Sequence, residues 1–295
     1  MSAELRLAAQ RLSMPAANAV EAARAVVGVQ AQDTRAAGLA LRSRVRGLER
    51  SDLTGLVRTW TVRGTLHLID PADRPWLHAA IPNGARFERL LAQRGGMDAA
   101  RRVRLDDTPR TRAELVPAGM PPRAANVLLP WLAAQGRLLG LPDGRWVGAD
   151  PPPPVDPDEA LATLARRYFA GYASADARDL AAWSGLGLRV ARRALEAAGP
   201  FSPPAPPPPA PPALLLAAFD TLLLGYRSRA PVVPPAHERR VLPGGGMLRP
   251  VVLARGRAAG TWTARDGRVS VEWFGRPAAK RFLAAEIADV ERFLS

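Results

Sequence analysis

Apolar and polar positions alternate with a helical period through the first two-thirds of the chain and with a strand period through the last third. Residues 16–29 carry Val20, Ala23 and Val27 at helical spacing, with Gln30 continuing the face, which predicts an amphipathic helix. A second helix is expected over residues 34–43, and a third over 51–59 with Ser51 or Asp52 as its N-cap. From Trp60 to Ile69 the pattern turns extended and β-rich, and it stops at Asp70-Pro71. Helices followed by strands are the order of a winged helix.

The order recurs. Thr111-Arg112-Ala113-Glu114 is a capping box opening a short helix, residues 123–135 form a longer amphipathic one, and residues 137–147 alternate about the turn signal Leu141-Pro142-Asp143-Gly144. A third unit is expected from helices at 159–172, 176–183 and 188–198 with a turn at 185–187, its wing not evident. Prolines crowd residues 151–157 and 203–212, and the second run predicts an extended polyproline spacer. Beyond it lies an apolar stretch at 214–229. Strands at 250–253, 260–263 and 269–274 follow, separated by Gly244-Gly245-Gly246 and by two Arg- and Gly-rich turns. The expected fold class is α+β, mainly α, with tandem winged-helix domains and a β-rich, barrel-like C-terminal domain closed by a helix. The expected units are residues 1–107, 108–150, 158–200, a linker at 201–213, and 214–295.

Composition narrows the chemistry. The 295 residues are 47% hydrophobic, enough for more than one core. Forty-one Lys plus Arg against 27 Asp plus Glu leave a net charge of +14, with Lys280 the only lysine. Codon bias explains Arg in place of Lys, but it explains an excess of bases over acids less easily. A polyanionic partner, most simply nucleic acid, is therefore expected. With no cysteine in the chain, disulfides, thiolate nucleophiles, cysteine zinc sites and iron–sulfur clusters are excluded. Only His67, His78 and His237 are histidines, without metal-ligand spacing, so neither metal nor organic cofactor is expected. Neither a signal peptide nor a run of about twenty apolar residues is present, so a cytoplasmic protein with no membrane partner is expected.

The stretches VVGVQAQDTRAAGLALRSR, VRTWTVRGTLHLI, DLAAWSGL, AFDTLLLGYRSR, GGGMLRPVVL and GTW occur in that order over most of the chain, and together they resemble the AlkZ/YcaQ-like winged-helix DNA glycosylases. The resemblance implies tandem winged helices and a β-rich C-terminal part around duplex DNA. It also implies excision of bulky N-alkylated bases, unhooking of interstrand crosslinks or self-resistance to DNA-alkylating products, with a monomer acting on double-stranded DNA. The family's Gln-x-Gln or Gln-x-Asp motif falls on Gln30 and Gln32, which makes this chain the Gln-x-Gln type. Long proline tracts, and Leu248 where many relatives carry an aromatic, are departures that bear on spacing and packing.

The chemistry implied is consistent with carboxamides. An N7-alkylated guanine is already a good leaving group, so what remains is to steady an oxocarbenium-like sugar and to position water. A glutamine carbonyl accepts a hydrogen bond from water and turns its dipole toward positive charge. Gln30 and Gln32 are the expected catalytic pair, with Asp33 as an electrostatic helper; the competing reading makes them caps or bridges of the first helices. A chain whose only amines are Lys280 and its N-terminus is expected to hydrolyse without a Schiff base. Arg63 and His67 are candidates for contacts near the lesion or its phosphates, His67 equally a satisfied strand histidine. Arg42, Arg44 and Arg46, and Arg227 with Arg229, are candidates for a phosphate track or for solvated faces. Trp60, Trp183 and Trp262 are expected in the core rather than as base-stacking wedges. The rival function is a non-catalytic winged-helix transcriptional regulator.

Overall fold

The computed structural model describes residues 3–201, 206–277 and 280–295. The expected polyproline spacer at 203–212 lies partly outside the described residues; its described part, 206–212, is neither helix nor strand.

Two antiparallel sheets organise a mixed α/β fold. The first comprises β1 (Val29–Gln30), β2 (Val57–Trp60), β3 (Leu66–Ile69), β4 (Leu138–Gly140) and β5 (Trp146–Gly148) in the order β1-β3-β2-β4-β5. The second comprises β6 (Ala213–Leu216), β7 (Val251–Ala254), β8 (Arg257–Arg265) and β9 (Arg268–Trp273) in sequence order. That sheet is open, since β6 and β9 each pair on one side only among the described residues. The barrel-like closure expected of the C-terminal part is therefore corrected to a four-stranded meander, capped by the helix Lys280–Leu294.

Near the N-terminus the helix predicted over 16–29 is shorter. It runs Ala19–Ala25, N-capped by the Asn18 side chain, and ends where Val27 (φ 58°) and Gly28 (φ 83°) take left-handed conformations that reverse the chain. A Cβ on Gly28 would lie 2.6 Å from Ile69 Cγ2, so the reversal needs glycine for space as well as for its dihedral. Gln30 consequently stands on a strand and not on a helix. The helix expected at 51–59 is also corrected. It is a 3₁₀ turn, Arg50–Leu53, followed by β2, where Val57, Thr59 and Trp60 favour the pleated backbone.

The later helices follow their end signals. Thr111 and Glu114 form the reciprocal capping box, and the helices Pro122–Ala134, Pro157–Gly171, Ala177–Ser184 and Leu188–Ala198 occupy the expected stretches. The hairpin β4–β5 does not stand apart from the first hairpin. Arg58 of β2 pairs with Gly140 of β4, which merges the two into one sheet. A Cβ on Gly140 would sit 3.0 Å from Arg58 Cβ and 2.9 Å from Trp146 Cζ3, so glycine permits the approach. Arg58 Nε then donates to Leu141 O at 2.7 Å while the guanidinium covers Trp146.

Distant segments share one core. Ala22, Val26, Leu39, Leu41 and Leu68 pack in the same cluster as Leu215, Val252, Trp262, Val290 and Phe293. Beneath that cluster Arg44, fully buried, meets the equally buried Asp220 through both guanidinium nitrogens, at 2.8 and 2.9 Å. This contact fixes the C-terminal sheet to the segment that carries the two glutamines.

Candidate active-site cleft

The reversal at Val27 and Gly28 delivers Val29 and Gln30 to the edge of the first sheet, where Gln30 is the register partner of His67. The Ala31 N–H donates to Leu66 O at 2.7 Å, and Ala31 is wholly buried. Gln30 at the end of the strand and Gln32 in the bend that follows line the same cleft, while Ala31 between them faces the core. Asp33 follows as a helix cap: its Oδ1 accepts from Arg35 N (2.8 Å) and Ala36 N (3.1 Å), capping the helix Thr34–Arg42.

Gln30, Gln32 and Asp33 line one wall of a cleft of about 700 Å³. Arg63 and Thr65, from the turn between β2 and β3, form its end. The far wall comes from the C-terminal part: Phe219, Leu224, Arg229, Leu242 and the loop from Gly244 to Leu248. The 3₁₀ turn Val62–Gly64 holds Arg63 at φ 53°, with the Arg63 carbonyl accepting from Arg86 Nη1 at 3.1 Å. Phe219 has φ 57°. Left-handed backbone at two non-glycine residues on one cleft, and at Val27 just before it, is strain of the kind that gathers at functional sites.

Two cations face this cleft. Partial burial lowers the Arg63 guanidinium below the ordinary arginine value, a shift the Tyr172 phenol partly opposes. Arg229 is lowered by burial too; the carboxylate of Glu238 raises it again and the charge of Arg63 lowers it further. Both stay charged at neutral pH, and Arg229 Nε is fixed by Leu223 O at 2.7 Å.

The remaining candidates separate clearly. Arg44 is not on a phosphate track: fully buried, it binds Asp220, Gln10, Thr221 and Ala40 O. Arg42 is buried as well, on Asp289, Glu286 and Leu215 O, so of that run only Arg46 is exposed. His67 is buried and pushed down to about 4, chiefly by desolvation, against the raising effect of its hydrogen bond to Thr65; the Arg63 charge lowers it further. Its Nδ1 lies 3.0 Å from Thr65 O, and a carbonyl only accepts, so the neutral ring carries its proton there. Of the two readings of His67, the buried ring hydrogen-bonded to Thr65 O matches the satisfied strand histidine rather than an exposed contact to the lesion or its phosphates. Arg227 is exposed beside the cleft, with its backbone N–H on Asp179 at 2.9 Å. Trp183 and Trp262 are buried, and Trp60 is half-buried and stacked on Trp146. Sequence reasoning did not find Thr65, Phe219 or the loop tip; the three consecutive glycines were the available signal for the loop. Among the described residues no three His, Cys, Asp or Glu side chains gather to hold a metal ion, and no helix is long and apolar enough to cross a membrane.

The cleft thus gathers two carboxamides, one carboxylate and two arginines from segments far apart in the chain. Residues 23–293 match the family described as DNA glycosylase AlkZ-like, and the chain belongs to that family of enzymes. It is 27% identical over 307 residues to a protein of Streptomyces sahachiroi named interstrand DNA cross-link repair glycosylase, an alignment covering 84% of this chain and 82% of the relative. Its fold is similar to the solved structure of Streptomyces sahachiroi DNA glycosylase AlkZ, with a TM-score of 0.74, 22% identity, and coverage of 99% and 96% of the two chains.

Proposed function

We propose that this glycosylase is monofunctional and hydrolyses the N-glycosidic bond of N7-alkylguanine-type bases in duplex DNA, including bases joined in interstrand crosslinks, and that tandem winged helices present the duplex to the cleft. The observation that carries the reading is the gathering of Gln30 and Gln32 in one cleft with Arg63 and Arg229. An alkylated base carries its own positive charge, so departure of the bond's electron pair to the base neutralises the leaving group. The sugar is left oxocarbenium-like. A water held by one glutamine carbonyl attacks the anomeric carbon and loses its proton to solvent, while the second carboxamide dipole and the Asp33 carboxylate face the developing charge. Arg63 and Arg229 take the flanking phosphates. Neutral His67, the cross-strand neighbour of Gln30, supports its position. Exposed Gln32, Asp33 and Met247 leave the cleft open to solvent, which accommodates a base still tethered to the opposite strand.

The test is incubation with duplex containing a single N7-alkylguanine or a crosslink, followed by alkaline cleavage at abasic sites. Base release without strand scission, and without an enzyme–DNA adduct trapped by borohydride, is expected. A trapped adduct overturns the hydrolytic mechanism; release from neither substrate overturns the substrate class. No observation favours the transcriptional-regulator reading.

A further inference from the structure

Among the described residues, the large apolar side chains most open to solvent are Met14, Phe201, Met247 and Phe282. Met14 and Phe201 line a separate cavity together, and Phe282 is covered by the Arg281 guanidinium. Met247, 51% exposed, belongs to the glutamine cleft.

Its loop is built to hold it there. Gly244, Gly245 and Gly246 have φ of 108°, 61° and 75°, and nothing lies within 4 Å of where their Cβ atoms would be. These glycines are required by the path of the backbone, not by crowding. The Met247 N–H donates to Gly244 O at 3.1 Å, and the Arg249 N–H donates to Val241 O at 3.0 Å, closing tip and base. Buried Val241 and Leu248 anchor the loop in the core beneath the C-terminal sheet. Alternation about Leu248 sends Met247 and Arg249 outward together, and Arg249 is exposed with no side-chain partner among the described residues.

An unbranched, polarizable thioether adapts to the faces of bases and is one of the side chains that enter base steps, while a free guanidinium beside it matches a phosphate. The tryptophans expected in the core are there or stacked on each other, so none competes for this role. We propose that Met247 enters the base stack beside the alkylated nucleotide while Arg249 holds the adjoining phosphate, so that the unstacked nucleotide presents its anomeric carbon to Gln30 and Gln32. The inference rests on reading the cleft as the glycosylase site.

The test uses the full chain with Met247→Ala and Met247→Leu, on duplex carrying one N7-alkylguanine next to a fluorescent adenine analogue whose emission rises on unstacking. Wild-type protein is expected to raise the emission on binding, before base release. Met247→Ala loses that rise and slows single-turnover excision about tenfold, with binding to undamaged duplex changed less than about twofold, and Met247→Leu restores both. Met247→Ala retaining both the rise and the rate overturns the wedge, as does wild-type protein binding the lesion duplex without any rise. The readouts fail separately. A rise with no base release leaves the wedge standing and removes the glycosylase chemistry, whereas release without a rise does the reverse.

Discussion

The two walls of the cleft present side chains to the same space by opposite means. The glutamine wall is a strand edge. Gln30 is registered against His67, Ala31 is pinned to Leu66, and Asp33 is committed to a helix cap. The far wall includes a loop that turns on three left-handed glycines with nothing within 4 Å of their Cβ positions. A site placed on a sheet holds its geometry more tightly than one placed on a loop. In the proposed mechanism the chemistry falls to the sheet-edge wall, and the meeting with the adduct falls to the loop wall.

The largest break comes from the rigid wall. Removing both carboxamides, Gln30→Ala with Gln32→Ala, is expected to lower single-turnover excision on the order of a thousandfold, with an unchanged urea midpoint. Activity within about tenfold of wild type would take the glutamines out of the chemistry. Next is the tie between the walls. Arg44→Ala strands buried Asp220 and is expected to cost about 3–5 kcal/mol in denaturant unfolding, whereas exposed Arg46→Ala stays within about 0.5 kcal/mol. Equal losses would mean that Arg44 does not join the two parts.

His67 tests the backing of the glutamine strand. Its folded value of about 4 lies below that of an unfolded histidine, so the unfolded chain binds the proton first. The stabilisation is complete above about pH 6.5 and is lost as pH falls toward 4, on the order of 3 kcal/mol in all. His67→Gln should flatten that portion of a stability–pH profile, and an unchanged profile would mean the ring titrates normally. The smallest effect is expected from the arginines of the cleft. Arg63→Ala and Arg229→Ala should each reduce the slope of log binding constant against log salt by about 1, and Arg227→Ala, outside the cleft lining, by less. Identical slopes for all three would dissolve the distinction between cleft arginines and their exposed neighbour.

Local signals made much of the fold legible. The box at Thr111, the cap at Asp176 and the left-handed Gly185 mark helix ends that the chain alone displays. What escaped depended on contacts far apart in sequence. Val27 continues a helical periodicity that its backbone abandons, because Gly28 must fit against Ile69. The merging of two hairpins turns on one close approach at Gly140. Arg42 and Arg44 look like surface bases because their carboxylates lie 244 and 247 residues away for Arg42 and 176 for Arg44. The glutamines were reached through the resemblance, since carboxamides form no spacing motif, and the loop facing them reads in sequence as mere punctuation between strands.

The core under the glutamines is closed by the helix Lys280–Leu294, with the Phe293 ring lying 2.8 Å from where a Cβ on Gly38 would be. During synthesis the strand bearing Gln30 precedes that lid by some 250 residues, a wait on the order of tens of seconds at ~5–20 residues per second. Until Asp220 is made Arg44 has no counter-ion, and until the lid is made Leu39 and Leu41 lack part of their cluster, so the segment bearing Gln30 is completed by contacts from far along the chain. The residues that line the cleft run from Gln30 to Leu248, so its two walls can meet only after most of that span has been made.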